Sequence, residues 1–289
     1  MAAINKTTYL CEAVTPMFIY GAASLELRTS SLKGLVRYWW RALNSHLPVK
    51  ELREKEGLLF GSSDEKVGRS PIVLRIIPGE MQISSEYLLP HQNKAPLESF
   101  SIGSQFEVII TSMGTFDEHA GYEAIIEAAL LLGGLGRRSR RGFGSVAIIA
   151  KDSAKDSMPY VAPHDLQTIA ALLDSVNAGK FCIKKGKIVS HGFAGDYPHL
   201  KSVELGKAYN NAHELLIQIG TATHNVSKGG SDYTGFSNGQ KKFASPVYVT
   251  VLRIRSNYHP LITTLNTVFE PEYVPRGVDK QAALREAIL

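Results

Sequence analysis

GGLGRRSRRGFGSV, residues 133–146, is the most informative stretch of this 289-residue chain. We call it the glycine-arginine loop, and it contains no acidic residue. Its glycines and arginines are Gly133, Gly134, Gly136, Arg137, Arg138, Arg140, Arg141, Gly142 and Gly144. Glycine lets a backbone take positive φ and approach a ligand closely, and guanidinium groups donate in pairs to phosphate. The stretch predicts a loop that binds a polyanion, with nucleic acid as the first candidate; the alternative is a solvated basic connection.

The loop is predicted to connect a helix to a strand. Residues 121–132 place apolar side chains at helical spacing, and residues 143–150 form a β-branched run. Nucleotide-binding glycine loops run from strand to helix, and Ser139 stands where their third glycine belongs, so we exclude that class. Residues 141–146 overlap the RNP1 motif of RNA-recognition domains, but Ser145 occupies an aromatic position and a helix precedes the segment. Only Phe143 is left to stack on a base.

Six elements in the first half predict a βαββαβ unit, the ferredoxin-like pattern of an α+β fold. They are a strand at 9–14, a helix at 31–47, strands at 71–77 and 105–111, a helix at 122–132 and a strand at 143–150. Residues 151–163, polar with two prolines, predict a boundary between domains 1–152 and 153–289. The second domain is predicted to be a diverged copy, with helices at 165–176 and 204–217, a glycine-rich loop at 228–240, a strand at 246–254 and a helix from 279.

The helix beginning at Ser31 is predicted to have an apolar arc and a separate basic face. Its apolar arc comprises Leu32, Leu35, Val36, Trp39 and Leu43. Its basic face comprises Lys33, Arg37 and Arg41, with Arg28 just before the helix and Trp40 beside the basic face. The helix contains no acid among these cations, so we expect phosphate contacts and base stacking by Trp40; a solvated positive face is the alternative.

Charge and composition fit a nucleic-acid partner. Lysine and arginine total 32 against 27 acidic residues, which gives a net charge of +5 and a pI near 9.0. Two cysteines, Cys11 and Cys182, are too few for a cysteine-rich zinc site or a disulfide framework, and no apolar run has membrane length. We therefore expect a cytoplasmic protein without metal, cofactor or membrane contact.

A metal-independent ribonuclease is the enzymatic alternative. The nine histidines include no pair at the H-x-x-x-H metal spacing, and none lies in or beside the glycine-arginine loop. The best candidates for general acid-base catalysis are His191, Tyr197, His199 and His224. We expect a noncatalytic RNA-binding protein, with a pure assembly subunit as the third possibility.

Four segments together resemble the RAMP superfamily of CRISPR proteins. They are TPMFIYGA at 15–22, LRTSSLKGLVRYWWRA at 27–42, LFG at 59–61 and the glycine-arginine loop. The double tryptophan is the most specific element, and FASPV at 243–247 is a weaker second-domain motif. Within the superfamily, residues 7–150 are most similar to the first-numbered RAMP subunits of the type III-B Cmr effector.

The resemblance implies two ferredoxin-like domains facing a basic cleft in a ribonucleoprotein. The implied partners are guide RNA near its 3′ end, paired target RNA and other RAMP subunits of the Cmr complex, with target cutting by a different subunit. Carried onto this chain, the RNA-binding positions are Arg28, Lys33, Arg37, Arg41 and residues 133–144. The lysines Lys228, Lys241 and Lys242 are nominated only because they flank the glycine-rich basic loop of the second half.

Overall fold

The computed structural model describes residues 3–63, 67–153, 160–193, 197–228, 230–238 and 241–289. The first half contains, in chain order, β1 (Ala3–Ala13), α1 (Thr29–Asn44), α2 (Val49–Phe60), β2 (Ile72–Pro78), β3 (Ile83–Leu89), β4 (Lys94–Phe100), β5 (Gln105–Gly114), α3 (Phe116–Leu132) and β6 (Val146–Ser153). The second half contains α4 (Leu166–Val176), β7 (Phe181–Lys184), β8 (Lys187–Ser190), β9 (Leu200–Leu205), α5 (Ala212–Ser227), β10 (Phe236–Asn238), β11 (Lys241–Phe243), β12 (Val247–Ile254), β13 (Asn257–Leu265) and α6 (Gln281–Glu286).

The first half is a ferredoxin-like unit with two insertions. Its sheet has the antiparallel order β2-β5-β1-β6, and the predicted βαββαβ succession is confirmed once α2 and the β3–β4 hairpin are set aside. The apolar arc of α1 packs on this sheet, and Trp39 at its centre is fully buried. A capping box at Thr115 and Glu118 begins α3, which ends at Leu132 immediately before the glycine-arginine loop.

The second half does not repeat the βαββαβ order. Its main sheet has the order β12-β13-β9-β8-β7, and β10 and β11 form a separate two-stranded sheet. The helix predicted at 204–217 is wrong at its start: residues 200–205 are strand β9, and α5 begins only after Asn211, whose side chain accepts the Glu214 N–H at 2.8 Å. The strand at 247–254 and the helix at 166–176 agree with the prediction.

The two halves share one hydrophobic core. Trp39 of α1 lies 5.0 Å from the Tyr248 ring of β12, between ring centroids, and the Thr250 hydroxyl donates to the Leu131 carbonyl at 2.9 Å. Packed side chains, and not an open cleft, therefore join α1 to β12 at this point. Of the predicted boundary segment 151–163, residues 154–159 lie outside the described residues, and the division at 152 stays a prediction.

Candidate nucleic-acid interface

The glycine-arginine loop folds tightly against its own protein. It turns through a short 3-10 helix at Ser139–Arg141, and Gly136 and Gly144 both have positive φ, at 94° and 66°. A Cβ on Gly144 would lie 2.0 Å from the Leu135 carbonyl oxygen, and one on Gly136 would lie 2.5 Å from that of Phe18. Only glycine fits at these two positions, because any side chain would strike backbone.

The expectation that this loop's amides cradle an anion is wrong for most of them. Six amides already donate to backbone carbonyls at 2.8–3.1 Å: Gly133 to Ala129, Leu135 to Gly144, Arg137 to Phe18, Arg141 to Arg138, Gly142 to Val249 and Gly144 to Pro16. The other predicted glycines are buried and face protein atoms: Gly133 faces Trp39, Gly134 faces the Phe143 carbonyl and Gly142 faces Leu216. Close packing explains the glycines, and the loop offers its arginine side chains as the groups available to an anion.

Arg141 is a structural residue and not the RNA contact that the sequence predicted. One of its terminal nitrogens donates to the Arg140 and Val247 carbonyls at 2.8 Å, and the other donates to the Thr234 carbonyl at 3.4 Å. Burial, together with the charges of Arg138 and Arg140, lowers the pKa of Arg141 to about 10. Arg141 therefore ties the loop to the start of β12 and to the turn before β10.

Arg137, Arg138 and Arg140 form the unpaired part of the loop, and none of them makes an ion pair with a carboxylate in the described part of the chain. Arg137 is exposed, with its guanidinium carbon 4.9 Å from the Tyr20 ring centroid. The same carbon of Arg140 lies 4.6 Å from the Tyr248 ring centroid. The Nε atoms of Arg138 and Arg140 are buried without a hydrogen-bond partner, and burial lowers the pKa of Arg138. Such donors are costly to leave unsatisfied, so these arginines are suited to an anionic ligand.

The basic face of α1 is partly neutralised, which the sequence did not predict. Arg37 and Arg41 both contact the same Oε1 atom of Glu56 on α2, at 2.6 and 2.5 Å, and Arg41 also donates to the Tyr197 hydroxyl at 2.6 Å. Glu56 is buried, whereas the two arginine side chains remain 35% and 24% exposed. Two guanidinium groups share one carboxylate, so this cluster keeps a net positive charge.

A basic groove runs between α1 and α2. We define this α1–α2 groove as two adjoining cavities of about 540 and 520 Å³ that share Arg37. The cations lining it are Lys33, Arg37, Arg41, Arg53 and Arg69. Glu56 is the one carboxylate among the described residues of its lining, and Arg28 is exposed at the start of α1. Sequence reasoning missed Arg53 and Arg69, because neither α2 nor its contact with α1 was predicted.

The two aromatic residues expected to stack on bases are core residues. Trp40 is 7% exposed and packs edge-on against Phe60, at 6.2 Å between centroids, because α2 covers it. Phe143 is 3% exposed and packs on Phe18 at 5.3 Å. The aromatic rings that do lie beside the unpaired arginines are Tyr20 and Tyr38, both half-buried, and Tyr248, which is buried.

The three nominated lysines are exposed but are not one cluster. Lys228 ends α5, where its carbonyl accepts the Lys280 ammonium at 2.9 Å. Lys241 and Lys242 lie on β11 and line a cavity of about 240 Å³ with aromatic rings. Part of the predicted glycine-rich loop lies outside the described residues, at 229 and 239–240, and the rest forms a 3-10 turn and β10.

The four candidates for acid-base catalysis have different partners. The Tyr197 hydroxyl accepts from Arg41, and the His199 ring stacks on Phe193 at 5.1 Å. His191 Nδ1 lies 3.8 Å from the Cys182 sulfur, whereas His224 lies on α5 with its ring 5.6 Å from that of His91.

The fold and the loop define a class of protein: an antiparallel α+β protein whose ferredoxin-like unit carries a glycine-arginine loop between its second helix and last strand. The model of the RAMP superfamily matches residues 10–147. The CRISPR system Cmr subunit Cmr1-2 of Pyrococcus furiosus is 30% identical over 179 residues, 47% of this chain and 91% of that protein. The chain belongs to the RAMP superfamily, and it is similar to its Cmr1-like members.

Solved structures extend the likeness over nearly the whole chain. The crystal structure of Cmr1 from Pyrococcus furiosus has a TM-score of 0.64 at 18% identity, covering 98% of this chain and 95% of that one. A chain of the type III-B Cmr-beta complex bound to cognate target RNA has a TM-score of 0.62 at 12% identity, covering 99% and 100%. At these identities the comparison shows the fold alone. Within the described residues, no helix has the length and apolar character to cross a membrane.

Proposed function

We propose that this chain is a noncatalytic, RNA-binding RAMP subunit of a type III-B CRISPR effector, contacting guide RNA near its 3′ end, the paired target RNA, or both. The observation that carries the proposal is the group of Arg137, Arg138 and Arg140, three cations without a carboxylate partner in the described residues. Buried guanidinium nitrogens left without acceptors favour an anionic ligand, and a phosphate backbone supplies such acceptors repeatedly.

The glycine-arginine loop contacts α1, the helix that supplies cations to the α1–α2 groove. The ring centroid of Tyr38 on α1 lies 6.0 Å from the Arg140 guanidinium carbon. One of the unpaired arginines therefore lies against the helix that carries Lys33, Arg37 and Arg41. A single-stranded or paired RNA following this surface would meet phosphate-binding side chains from both elements.

The chemistry of this surface favours backbone contacts over reading of sequence. Its cations are arginines and lysines, and two of its arginines lie over aromatic rings, which holds the guanidinium planes in place. Neither Trp40 nor Phe143 is available to stack on a base. We therefore expect affinity for RNA with little preference for sequence.

Membership of an effector complex is supported by the relatives. The Pyrococcus furiosus relative is named as a subunit of a Cmr system, and the structural neighbour comes from a type III-B complex bound to target RNA. For this chain, guide RNA, target RNA and other Cmr RAMP subunits are the partners we propose.

The test is to titrate the full chain with fluorescently labelled single-stranded RNA of several sequences over a series of salt concentrations. Each phosphate neutralised contributes about −0.7 to the slope of log affinity against log salt, so four contacts give a slope of about −3. Incubation of the same samples in EDTA, followed by gel analysis, is expected to leave the RNA intact. A slope near zero contradicts the RNA-binding role, and RNA cleavage that follows the protein through purification contradicts the noncatalytic role.

A further inference from the structure

A pair of histidines lies next to the glycine-arginine loop, where the β3–β4 hairpin meets α5. His91 belongs to the 3-10 turn Pro90–Gln92 that joins β3 to β4, and its ring lies 5.6 Å from that of His224. The Gln92 amide nitrogen lies 3.4 Å from His224 Nδ1. The hairpin and α5, far apart in sequence, thus bring two imidazoles together.

The His91 ring packs against α5 at Gly220, where the helix has no side chain. A Cβ at Gly220 would lie 2.4 Å from His91 Nδ1, so the ring occupies the space that glycine leaves on this helix. His91 Nδ1 is buried without a hydrogen-bond partner, as is Nε of Arg138. Helix α5 contacts both the turn that carries His91 and the turn Ser139–Arg141 that follows Arg138, so the two unsatisfied nitrogens belong to one junction of three elements.

The titratable groups near His91 are Arg138, His224 and His213, together with one carboxylate, that of Glu86. Burial, then Arg138, then His224 lower the pKa of His91. From α5, His213 lines a small cleft with Pro90, and Glu86 of β3 lines the same cleft, with its carboxylate accepting from the Ser84 hydroxyl at 3.2 Å. Neither histidine of the pair forms an ion pair with a carboxylate in the described ranges.

We propose that Arg138, His91 and His224 together bind one phosphodiester of RNA, with the two imidazoles in their protonated form. This site rests on the proposed RNA-binding function and adds a specific contact to it. Arg138 supplies a permanent positive charge, and each protonated imidazole adds a positive charge and N–H donor capacity. The site joins three elements, the loop, the hairpin and α5, around one anion.

The site predicts that RNA binding takes up protons. A phosphate next to the two imidazoles favours their charged form. The pKa of His91 is lowered in the free protein, and a bound phosphate raises it, so RNA binding is accompanied by protonation at neutral pH. Affinity must then rise as pH falls, by at most about tenfold per pH unit for each proton taken up. The gain levels off once the imidazoles are protonated in the free protein as well.

The experiment measures fluorescence anisotropy of labelled single-stranded RNA with the full chain from pH 8 to pH 5.5 at fixed ionic strength. We expect RNA binding by the unmodified chain to tighten severalfold across this range. The double variant His91→Gln/His224→Gln should lose most of this gain, and His224→Gln alone should lose about half of it. The His224 side chain is exposed, so its replacement should not disturb folding. His164→Gln is the matched control, because this histidine is exposed beside Asp165 at the start of α4. Circular dichroism melts confirm that the variants are folded.

The outcomes separate this site from the function on which it rests. Salt-dependent but pH-independent binding by the unmodified chain overturns the site and leaves the RNA-binding function standing. A double variant that keeps the parental pH dependence also overturns the site. Failure of the unmodified chain to bind RNA at any pH overturns the function and the site together.

Discussion

Replacing Glu56 by glutamine should make the protein less stable and a better RNA binder. The Glu56 carboxylate is buried and holds Arg37 and Arg41 through one oxygen, at 2.6 and 2.5 Å. Removing one partner of a fully buried ion pair costs about 3–5 kcal/mol. The two arginines are about one third and one quarter exposed, so solvent screens part of that loss, and we expect about 2 kcal/mol.

The same substitution releases positive charge into the α1–α2 groove. With Glu56 neutral, Arg37 and Arg41 are left to pair with phosphate, and each added phosphate contact increases the salt slope by about 0.7 for a single strand. We therefore expect tighter RNA binding at low salt and a steeper slope. Urea denaturation measures the first effect, and RNA titration at three salt concentrations measures the second.

Glu54→Gln is the matched control for this experiment. It lies on the same helix and changes the net charge equally, but its side chain is exposed. We expect it to leave the free energy of unfolding within about 0.5 kcal/mol and to raise RNA affinity less than Glu56→Gln does. Equal effects of the two variants, or weaker RNA binding by Glu56→Gln, would refute the assignment of the groove to RNA.

Three substitutions test the packing assignments. Trp39→Ala and Trp40→Ala should each lower the free energy of unfolding, measured by urea denaturation, by about 3–5 kcal/mol, because both rings are buried. The folded fraction of each variant should bind RNA normally. A selective loss of RNA affinity in Trp40→Ala would show that this ring contacts RNA. Gly144→Ala should lower the melting temperature strongly, since its Cβ would lie 2.0 Å from the Leu135 carbonyl oxygen at a φ of 66°; a melt unchanged from the parent would show that this packing is wrong.

Local patterns predicted the first half of the fold well. The apolar arc of α1 repeats at helical spacing, and its members Leu32, Val36, Trp39 and Leu43 are fully buried as expected. By contrast, six of the twelve residues of α2 are charged, so the sequence gives no strong apolar period from which to predict this helix. The helix predicted at 204–217 begins too early, within the last two residues of β9, because strand and helix lie only a few residues apart and only Asn211 marks the cap.

The arginines of the candidate site were predictable from the sequence, but the contacts that each arginine makes were not. The concentration of arginines at 137–141 is visible in the sequence, whereas the role of each depends on contacts from distant parts of the chain. Arg141 is bound by carbonyls of Val247 and Thr234, and Arg37 and Arg41 are partly neutralised by one carboxylate on another helix. Trp40 lies at the border of the basic face on α1, and only the position of α2 determines that it is covered.

The central claim is that the unpaired arginines of the glycine-arginine loop bind RNA phosphates. The most direct measurement compares the RNA affinity of Arg137→Glu/Arg140→Glu with that of Lys184→Glu/Lys185→Glu, an equal change of net charge at the exposed turn between β7 and β8. Neither arginine of the first pair has a carboxylate partner in the described residues, so both variants should fold. We expect at least about a hundredfold loss of affinity for the loop variant and about threefold or less for the control. Equal, small losses in the two folded variants would contradict the assignment of these arginines to RNA.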